Sequence, residues 1–370
     1  MRLAWLELLD FRNHGRTELR DIRDGLITAV GANGEGKTNL LEGMAFLFFL
    51  SSPRSSSTEP LVRQGADAAY TRGEVETRDG RVLVEVEIPG RGASRVHVNR
   101  KAVRRKRDLR RQVRAVFFAP EDLDIVRGDP GARRRFIDDA VIELWPLKES
   151  AITAYDKTLR QRNRLLKEWE GRGAPPGLDT WDGELVQAGV ALMRLRRGAI
   201  EALAPGAEQE FRALSGYGLE CRYLPNVEAP DEEALEEALE EAFRRRLAER
   251  RTDELVRRTS LVGPHRDDLG LAVRDLRARA FASHGEAWAA AVCLRLGLAD
   301  AIAAEVGERP VVLLDDPFSA LDPVRQGRLS ERLPAMGQVI ISVADATHVP
   351  GNSVAVWEVA AGSVSVRGGG

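Results

Sequence analysis

Gly31, Gly36, Lys37 and Thr38 stand in the segment GANGEGKT at the spacing G-x-x-x-x-G-K-[ST]. Glycines at these places let backbone N–H groups turn inward around phosphate oxygens. The N-terminus of a following helix adds positive potential. Lys37 then neutralises the β- and γ-phosphates of a nucleotide, and Thr38 offers a hydroxyl to Mg2+. The full cradle is Gly31, Ala32, Asn33, Gly34, Glu35, Gly36, Lys37, Thr38 and Asn39. The alternative is a chance glycine-rich turn. Context opposes it, because strand-like LITAV precedes the loop and an apolar helix starts at Lys37.

A second group of reactive residues lies roughly 280 positions further on, where PVVLLDD runs into Asp315 and Asp316. An uninterrupted apolar run suits a parallel strand buried on both faces, and ligands bind at the carboxyl ends of such strands. Asp315 is placed to hold Mg2+ or its water. Asp316 is placed to orient or deprotonate an attacking water. Alone, two aspartates after a strand are as often a turn. Beside a phosphate loop they become the second half of a nucleotide site.

The elements that must position these residues change along the chain. The first ~115 residues read as strands around one early helix: LAWLELL, then the polar turn DFRNHGR, TELRDI and GLITAV, with a hairpin across RGEVETRDG and RVLVEVEIPG. From Pro120 to about Glu254 apolar residues recur at helical spacing. One stretch ends at LKEWE, a second covers VQAGVALMRLRRGAIEALA, and a third carries Glu240 and Glu241 four residues before Arg244 and Arg245. YGLECRYLP between them suits a strand. After about residue 270 the α/β texture returns and ends in a hairpin, VAVWEVAAGSVSVR. The expectation is an α/β domain, residues 1–118 with 270–370, split by a helical insertion at 119–269.

Composition limits what the site serves. There are 55 Lys+Arg against 57 Asp+Glu, a net charge of −2, which excludes a uniformly basic nucleic-acid binder but not local basic patches. Cys221 and Cys293 are far apart with no CxxC, which suits a reducing cytosol. The N-terminal segment lacks an apolar signal core. Leu40–Leu50 reads as the longest apolar-rich run, and it falls short of the ~20 residues of a membrane span. A soluble cytoplasmic protein without membrane attachment is expected.

The wide separation of Lys37 from Asp315 resembles the ABC/SMC class of ATPase heads, which build one site from both ends of a chain. That resemblance implies a signature serine opening a helix before the Asp315 strand and a D-loop after it. FASHGEAWAA resembles the signature, with Ser283, Gly285 and Glu286, the last replacing the usual glutamine. SALD matches the D-loop, with Ser319 and Asp322. Longer blocks point closer. APEDLDIVRGDPGARRRFID, SLVGPHRDDL, LLDDPFSALD, FRN and GANGEGKTNLLEG resemble the RecF family of recombination mediators over residues 11 to about 325. Ala320 departs from the family's usual Glu.

The resemblance implies an ABC/SMC-type P-loop ATPase head with an inserted helical lid in place of a long coiled coil. It implies ATP and Mg2+ as cofactors, an ATP-dependent homodimer on DNA, and slow DNA-stimulated hydrolysis. It implies cooperation with RecR, with RecO nearby, in loading a recombinase at gaps bordered by duplex. By analogy with SMC heads Arg12 and Asn13 reach the nucleotide; a plain strand-end turn is the alternative. Two family-class residues are missing: Pro120, Glu121 and Asp122 occupy the Q-loop stretch, and Ala344 and Asp345 stand where a switch histidine belongs, with Thr347 and His348 later. Slow turnover follows from both.

Residues 100–114 hold nine Lys/Arg and one acid. In a DNA protein, Arg104, Arg105, Lys106, Arg107, Arg110 and Arg111 are candidates to track phosphates, each neutralised phosphate releasing counterions; a solvated basic face is the alternative. Arg133, Arg134 and Arg135 either bind DNA or pair with acids such as Asp138. The acidic run 228–241 reads as a solvated helix face, with RecR docking the lesser reading. His265 has no metal partners in sequence and reads as structural. A transporter ATPase or nucleotide kinase is disfavoured by the RecF-like blocks. A long SMC-type linker is disfavoured because the helical stretches are short and broken by Gly and Pro.

Overall fold

The computed structural model describes residues 1–228 and 236–367. Its first third is β1 (Arg2–Phe11), β2 (His14–Leu19), β3 (Leu26–Val30), α1 (Lys37–Phe49), β4 (Ala68–Thr77), β5 (Gly80–Pro89), β6 (Arg95–Val98), β7 (Lys101–Ala102), α2 (Lys106–Arg110) and β8 (Ala115–Phe118). The helical middle holds α3 (Leu123–Arg127), α4 (Pro130–Leu144), α5 (Glu149–Glu168), α6 (Leu178–Ser215), β9 (Leu219–Leu224), α7 (Glu236–Arg257), β10 (Asp268–Val273), β11 (Leu276–Arg277) and α8 (Ala278–Phe281). The last part is α9 (His284–Val306), β12 (Val311–Leu314), α10 (Pro323–Arg332), β13 (Val339–Val343), β14 (Ala355–Ala360) and β15 (Ser363–Arg367).

The central sheet has the order β15-β14-β3-β13-β12-β8. All neighbours pair in parallel except β15. Strands β3, β13, β12 and β8 are almost wholly apolar and buried because both faces are covered. Ile27, Ala29, Val311, Leu313 and Ile340 face Leu40, Leu41 and Met44 of α1 and an antiparallel sheet, β2-β1-β4-β5-β6-β7. Leu26, Val312, Leu314, Val339, Ile341 and Val343 share the opposite core with α4, α6 and α9. The sheet order leaves β13 alone between β3 and β12, so two strands from opposite ends of the sequence deliver their carboxyl ends to the same edge, one strand apart.

The lid keeps its own core around Tyr155, Leu185, Val190 and Phe243, and it is knotted by buried charges. Arg162, fully buried, donates to Asp182 (2.7 Å), Ser260 (2.7 Å) and Glu254 (2.6 Å). Arg196 donates to Asp138 at 2.7 and 2.9 Å and to Asp267 at 3.1 Å. Removing one partner from such a buried set costs about 3–5 kcal/mol, since a charge is stranded.

Three expectations need correction. The first helical stretch is two helices, broken where Pro146 follows Trp145. The second does not stop at Pro205: α6 is 38 residues long and passes through it. The missing N–H is outweighed by packing, because Gly206 and Gly297 let α6 and α9 approach closely. A Cβ at Gly297 would stand 2.4 Å from the Ala207 nitrogen. The boundary at 269/270 falls inside β10, which pairs along its whole length with β9, so the lid's small sheet β11-β10-β9 extends past it. The acidic run 228–241 lies partly outside the described residues; Glu240 does pair with Arg244, at 3.0 Å.

The apolar inventory also changes. Among the described residues α9 is long and apolar enough to cross a membrane, and 78% of its most apolar window is buried in the protein. Leu40–Leu50 is therefore not the longest apolar run; alanine-rich α9 is.

Candidate nucleotide site

The phosphate loop joins β3 to α1. Gly34 (φ 89°) and Gly36 (φ 116°) take the left-handed backbone that turns N–H groups inward. Gly31 leaves room where a Cβ would strike the Val359 carbonyl oxygen at 2.2 Å. The loop is braced from two sides. Asn13 Nδ2 donates to the Glu35 oxygen (3.0 Å) and Asn13 Oδ1 accepts from Asn39 (2.9 Å). Buried His14 sets Nε2 against the Gly36 oxygen (3.0 Å) and Nδ1 against Thr17 (2.8 Å). Burial pulls the His14 pKa down, which keeps the imidazole neutral for this work. On the other side the Gly362 nitrogen, in the β14–β15 turn, donates to the Glu35 oxygen at 2.9 Å.

The two halves of the site meet directly. Thr38 Oγ1 donates to Asp315 Oδ1 at 3.0 Å, although 277 positions separate them. Ser342, from the intervening β13, donates to the same oxygen at 2.6 Å and accepts from the Asp316 nitrogen at 2.9 Å. Lys37 Nζ reaches the Gly31 and Ala32 oxygens at 2.7 and 2.9 Å. Burial lowers the Lys37 pKa, with Asp316 and Asp315 opposing. Burial raises the pKa of Asp315 against the Ser342 and Thr38 bonds. It also raises that of Asp316, helped by Asp315 and opposed by Lys37 and His348. Asp316 sits at φ 49°, a strained backbone for a non-glycine residue. A hydroxyl and a carboxylate in contact at the end of a glycine cradle fit a nucleotide triphosphate with Mg2+.

Arg12 departs from its expected role. Its guanidinium forms a two-pronged pair with fully buried Glu42 of α1 at 2.9 and 2.8 Å and reaches the Pro60 oxygen. The buried carboxylate holds it, so Asn13 rather than Arg12 meets the loop. The Q-loop stretch places Glu121 where its charge raises the Asp315 pKa, and Arg54, 3.7 Å from Glu121, lowers it. The histidine near Asp316 is His348, later than the usual place.

Ser283 caps α9, its hydroxyl accepting from the Glu286 nitrogen at 3.2 Å while its own nitrogen donates to Glu286 Oε2 at 2.8 Å. The S-x-x-E spacing is a capping box, with Glu286 at its third helical position. Tyr217 donates to Glu286 Oε1 at 2.5 Å. Burial pulls the Glu286 pKa up, but the bonds from Tyr217 and Ser283 outweigh it and hold it below the usual value. In the expected D-loop segment, the Ser319 nitrogen bonds the Asp316 oxygen at 3.3 Å, and Asp322 caps α10 and pairs with Arg325 at 2.7 Å. Gly285 lets the two segments approach, since its Cβ would stand 3.1 Å from the Ala320 oxygen.

The basic run divides. Arg104, Arg105, Lys106 and Arg111 are exposed and Arg107 is half-buried. Arg110 turns inward, against the Phe49 oxygen (3.3 Å) and Glu149 (3.6 Å), which corrects its place on the outer face. Arg133 pairs with Asp268, from 2.5 Å, and Arg134 bonds the Asp267 oxygen at 2.9 Å, while Asp138 belongs to Arg196. His265 is structural: Nε2 faces the Ser260 oxygen (3.0 Å), Nδ1 faces Tyr155 (2.7 Å), and burial pushes its pKa down to about 4. Glu42, Arg54, Ser342 and His14 were missed in sequence. Ser342, a lone hydroxyl inside the apolar run VIISV, carried the clearest signal.

The RecF/RecN/SMC N-terminal domain profile matches residues 2–359. DNA replication and repair protein RecF of Cutibacterium acnes is 39% identical over 372 residues, covering 95% of this chain and 94% of the relative. That of Frankia alni is 41% identical over 381 residues, covering 98% and 99%. The chain belongs to the RecF family. A solved recombination mediator protein RecF with ATPrS, in the RecFOR pathway, superposes with a TM-score of 0.87 at 28% identity, covering 99% of this chain and 98% of that one. An SMC head domain from Pyrococcus furiosus shares the fold, with a TM-score of 0.57 at 16% identity over 99% and 95%. The ABC/SMC-type ATPase head is thus the architecture of this RecF-family chain, and DNA replication and repair is its family's field.

Proposed function

We propose that this chain is an ATP-switched DNA clamp of recombinational repair, working in the cytoplasm. ATP with Mg2+ supplies the phosphoryl group and the charge shielding. Lys37, Thr38 and Asp315 hold them, and Asp316 orients water for slow, DNA-stimulated hydrolysis. The ATP-bound form pairs with a second copy on duplex DNA near single-strand junctions. There it cooperates with RecR, and with RecO nearby, in loading a recombinase, and hydrolysis releases it.

The observation carrying this reading is the direct Thr38–Asp315 contact, together with Ser283, whose own hydrogen bonds run to Glu286 and Ala287 of the helical turn it opens. An exposed serine at a helix start, outside its own phosphate loop's contacts, suits a γ-phosphate held by another subunit. Asp at position 316 is one methylene shorter than the Glu of many relatives, which suits a timer more than a motor.

Sedimentation with ATP tests it. Ser283→Arg should bind ATP as a monomer yet fail both to dimerise and to hydrolyse. Asp316→Asn should dimerise and persist, with hydrolysis lost. An ATP-dependent Ser283→Arg dimer, or wild-type turnover by Asp316→Asn, would refute the shared site.

A further inference from the structure

We infer that Arg274 is a catalytic arginine acting across the subunit boundary: in the ATP-bridged pair its guanidinium leaves Glu286 for the γ-phosphate held by the second copy's phosphate loop. The inference rests on the shared-site reading above and adds a residue to it.

Arg274 occupies the tight turn between β10 and β11. Both turn residues, Arg274 (φ 51°) and Asp275 (φ 63°), take the left-handed backbone. Asn-Gly is the ordinary solution for such a turn. Arg-Asp carries backbone strain there, and strain of this kind collects at working sites. The side chain is also poised rather than fixed. Its guanidinium lies over the Tyr217 ring at 3.8 Å. Among the described residues its ion pair is to Glu286 Oε1 and spans 3.4 Å, longer than the ~2.7–2.9 Å of a charge-assisted hydrogen bond. The side chain remains 60% exposed.

The location is specific. Glu286 Oε2 accepts from the Ser283 nitrogen at 2.8 Å while Oε1 faces Arg274. The guanidinium is therefore one carboxylate away from the signature turn. Charge gives it a task. Arg325 is committed to Asp322 and to the Tyr217 hydroxyl, both at 2.7 Å. Arg274 is the cation that offsets Glu286, the carboxylate standing where the ABC/SMC signature has a neutral glutamine. Without Arg274, that carboxylate would confront an incoming γ-phosphate. With it, the phosphate meets a loosely held guanidinium whose planar fork suits phosphate oxygens. Arginines supplied in trans to a transferring phosphoryl group are worth about 10³–10⁵ in kcat elsewhere.

Arg274→Ala should lower kcat at least about tenfold while monomer ATP affinity stays at the wild-type value, with Arg274→Lys intermediate. A merely neutralising role is distinguished by Glu286→Gln, whose amide oxygen still caps Ser283. If Arg274 only offsets Glu286, the double variant Arg274→Ala/Glu286→Gln recovers wild-type turnover, and the inference fails. If Arg274 meets phosphate, the double variant stays slow.

Mixing decides whether the action crosses subunits. Arg274→Ala and Asp316→Asn in equal amounts give, in half of randomly formed dimers, one composite site with both residues intact. Activity should return to about a quarter of wild type. Ser283→Ala mixed with Asp316→Asn is the control. Recovery in the control but not with Arg274→Ala overturns the inference alone. Recovery in neither overturns the shared site itself.

Discussion

Replacing Ser342 with alanine should shift the acid limb of Mg-ATP binding toward higher pH by about one unit. The hydroxyl is fully buried and donates to Asp315 Oδ1 at 2.6 Å, and Asp315 is itself only 3% exposed. Burial already raises the Asp315 pKa, and Ser342 is the first of the bonds that oppose it. A hydrogen bond to a charged group is worth about 1.5–3 kcal/mol, and one pH unit corresponds to about 1.4 kcal/mol. Loss of this donor therefore raises the Asp315 pKa further, and Thr38, which still donates to the same oxygen at 3.0 Å, limits the rise. Mg2+ needs the carboxylate ionised, so binding must weaken first on the acid side.

Stability carries the same signature with a definite sign. A carboxyl whose folded pKa lies above its unfolded value costs stability above the folded pKa. The cost vanishes as pH falls below the unfolded value. Ser342→Ala enlarges that cost, so the melting-temperature gap to wild type should be wide at pH 8 and narrower at pH 5. The missing bond to the Asp316 nitrogen adds a part that does not vary with pH. Titration of fluorescent-nucleotide binding with Mg2+, with melts at both pH values, makes the test. An unmoved acid limb and a melting gap independent of pH would refute the assignment of Ser342 as a donor that keeps Asp315 ionised.

Reversing charge at Arg104, Arg105 and Arg107 should weaken duplex binding and reduce the slope of log K against log salt by roughly 0.9 for each phosphate no longer neutralised. An unchanged slope would return the run to a solvated face. Reversing Arg110 should instead disturb its packing against Phe49 and Glu149 and lower the melting temperature, with little effect on the slope. Gly297→Ala places a methyl 2.4 Å from the Ala207 nitrogen and 2.6 Å from the Leu203 oxygen. Backbone cannot step aside cheaply, so a loss of about 1–3 kcal/mol is expected, read by denaturant unfolding. A wild-type midpoint would show that α6 and α9 do not depend on that close approach.

Local chemistry was readable from the chain alone wherever the signal is short-range. The G-x-x-x-x-G-K-T spacing announces a turn that only glycines make, and the uninterrupted apolar run before Asp315 announces a strand covered on both faces. The S-x-x-E spacing at Ser283 contains a cap in full, since its partners are three residues apart. His265 was assigned a structural role from the absence of other ligands, and its bonds to Tyr155 and the Ser260 oxygen agree.

Tertiary structure decided everything that depends on partners far apart in the chain. Arg12 reads in sequence as a nucleotide contact or a strand-end turn, and only the packing of the β1–β2 turn on α1 pairs it with buried Glu42. Pro205 reads as a helix end, yet the glycine contact between α6 and α9 carries the helix through it. Arg110 belongs by composition to a basic face, but α2 turns it toward Glu149. The strand order β3-β13-β12 is the largest such decision. Backbone pairing carries no residue code at that range, so sequence could supply Lys37, Thr38 and Asp315 as types. Placing them around one point required the sheet to be assembled.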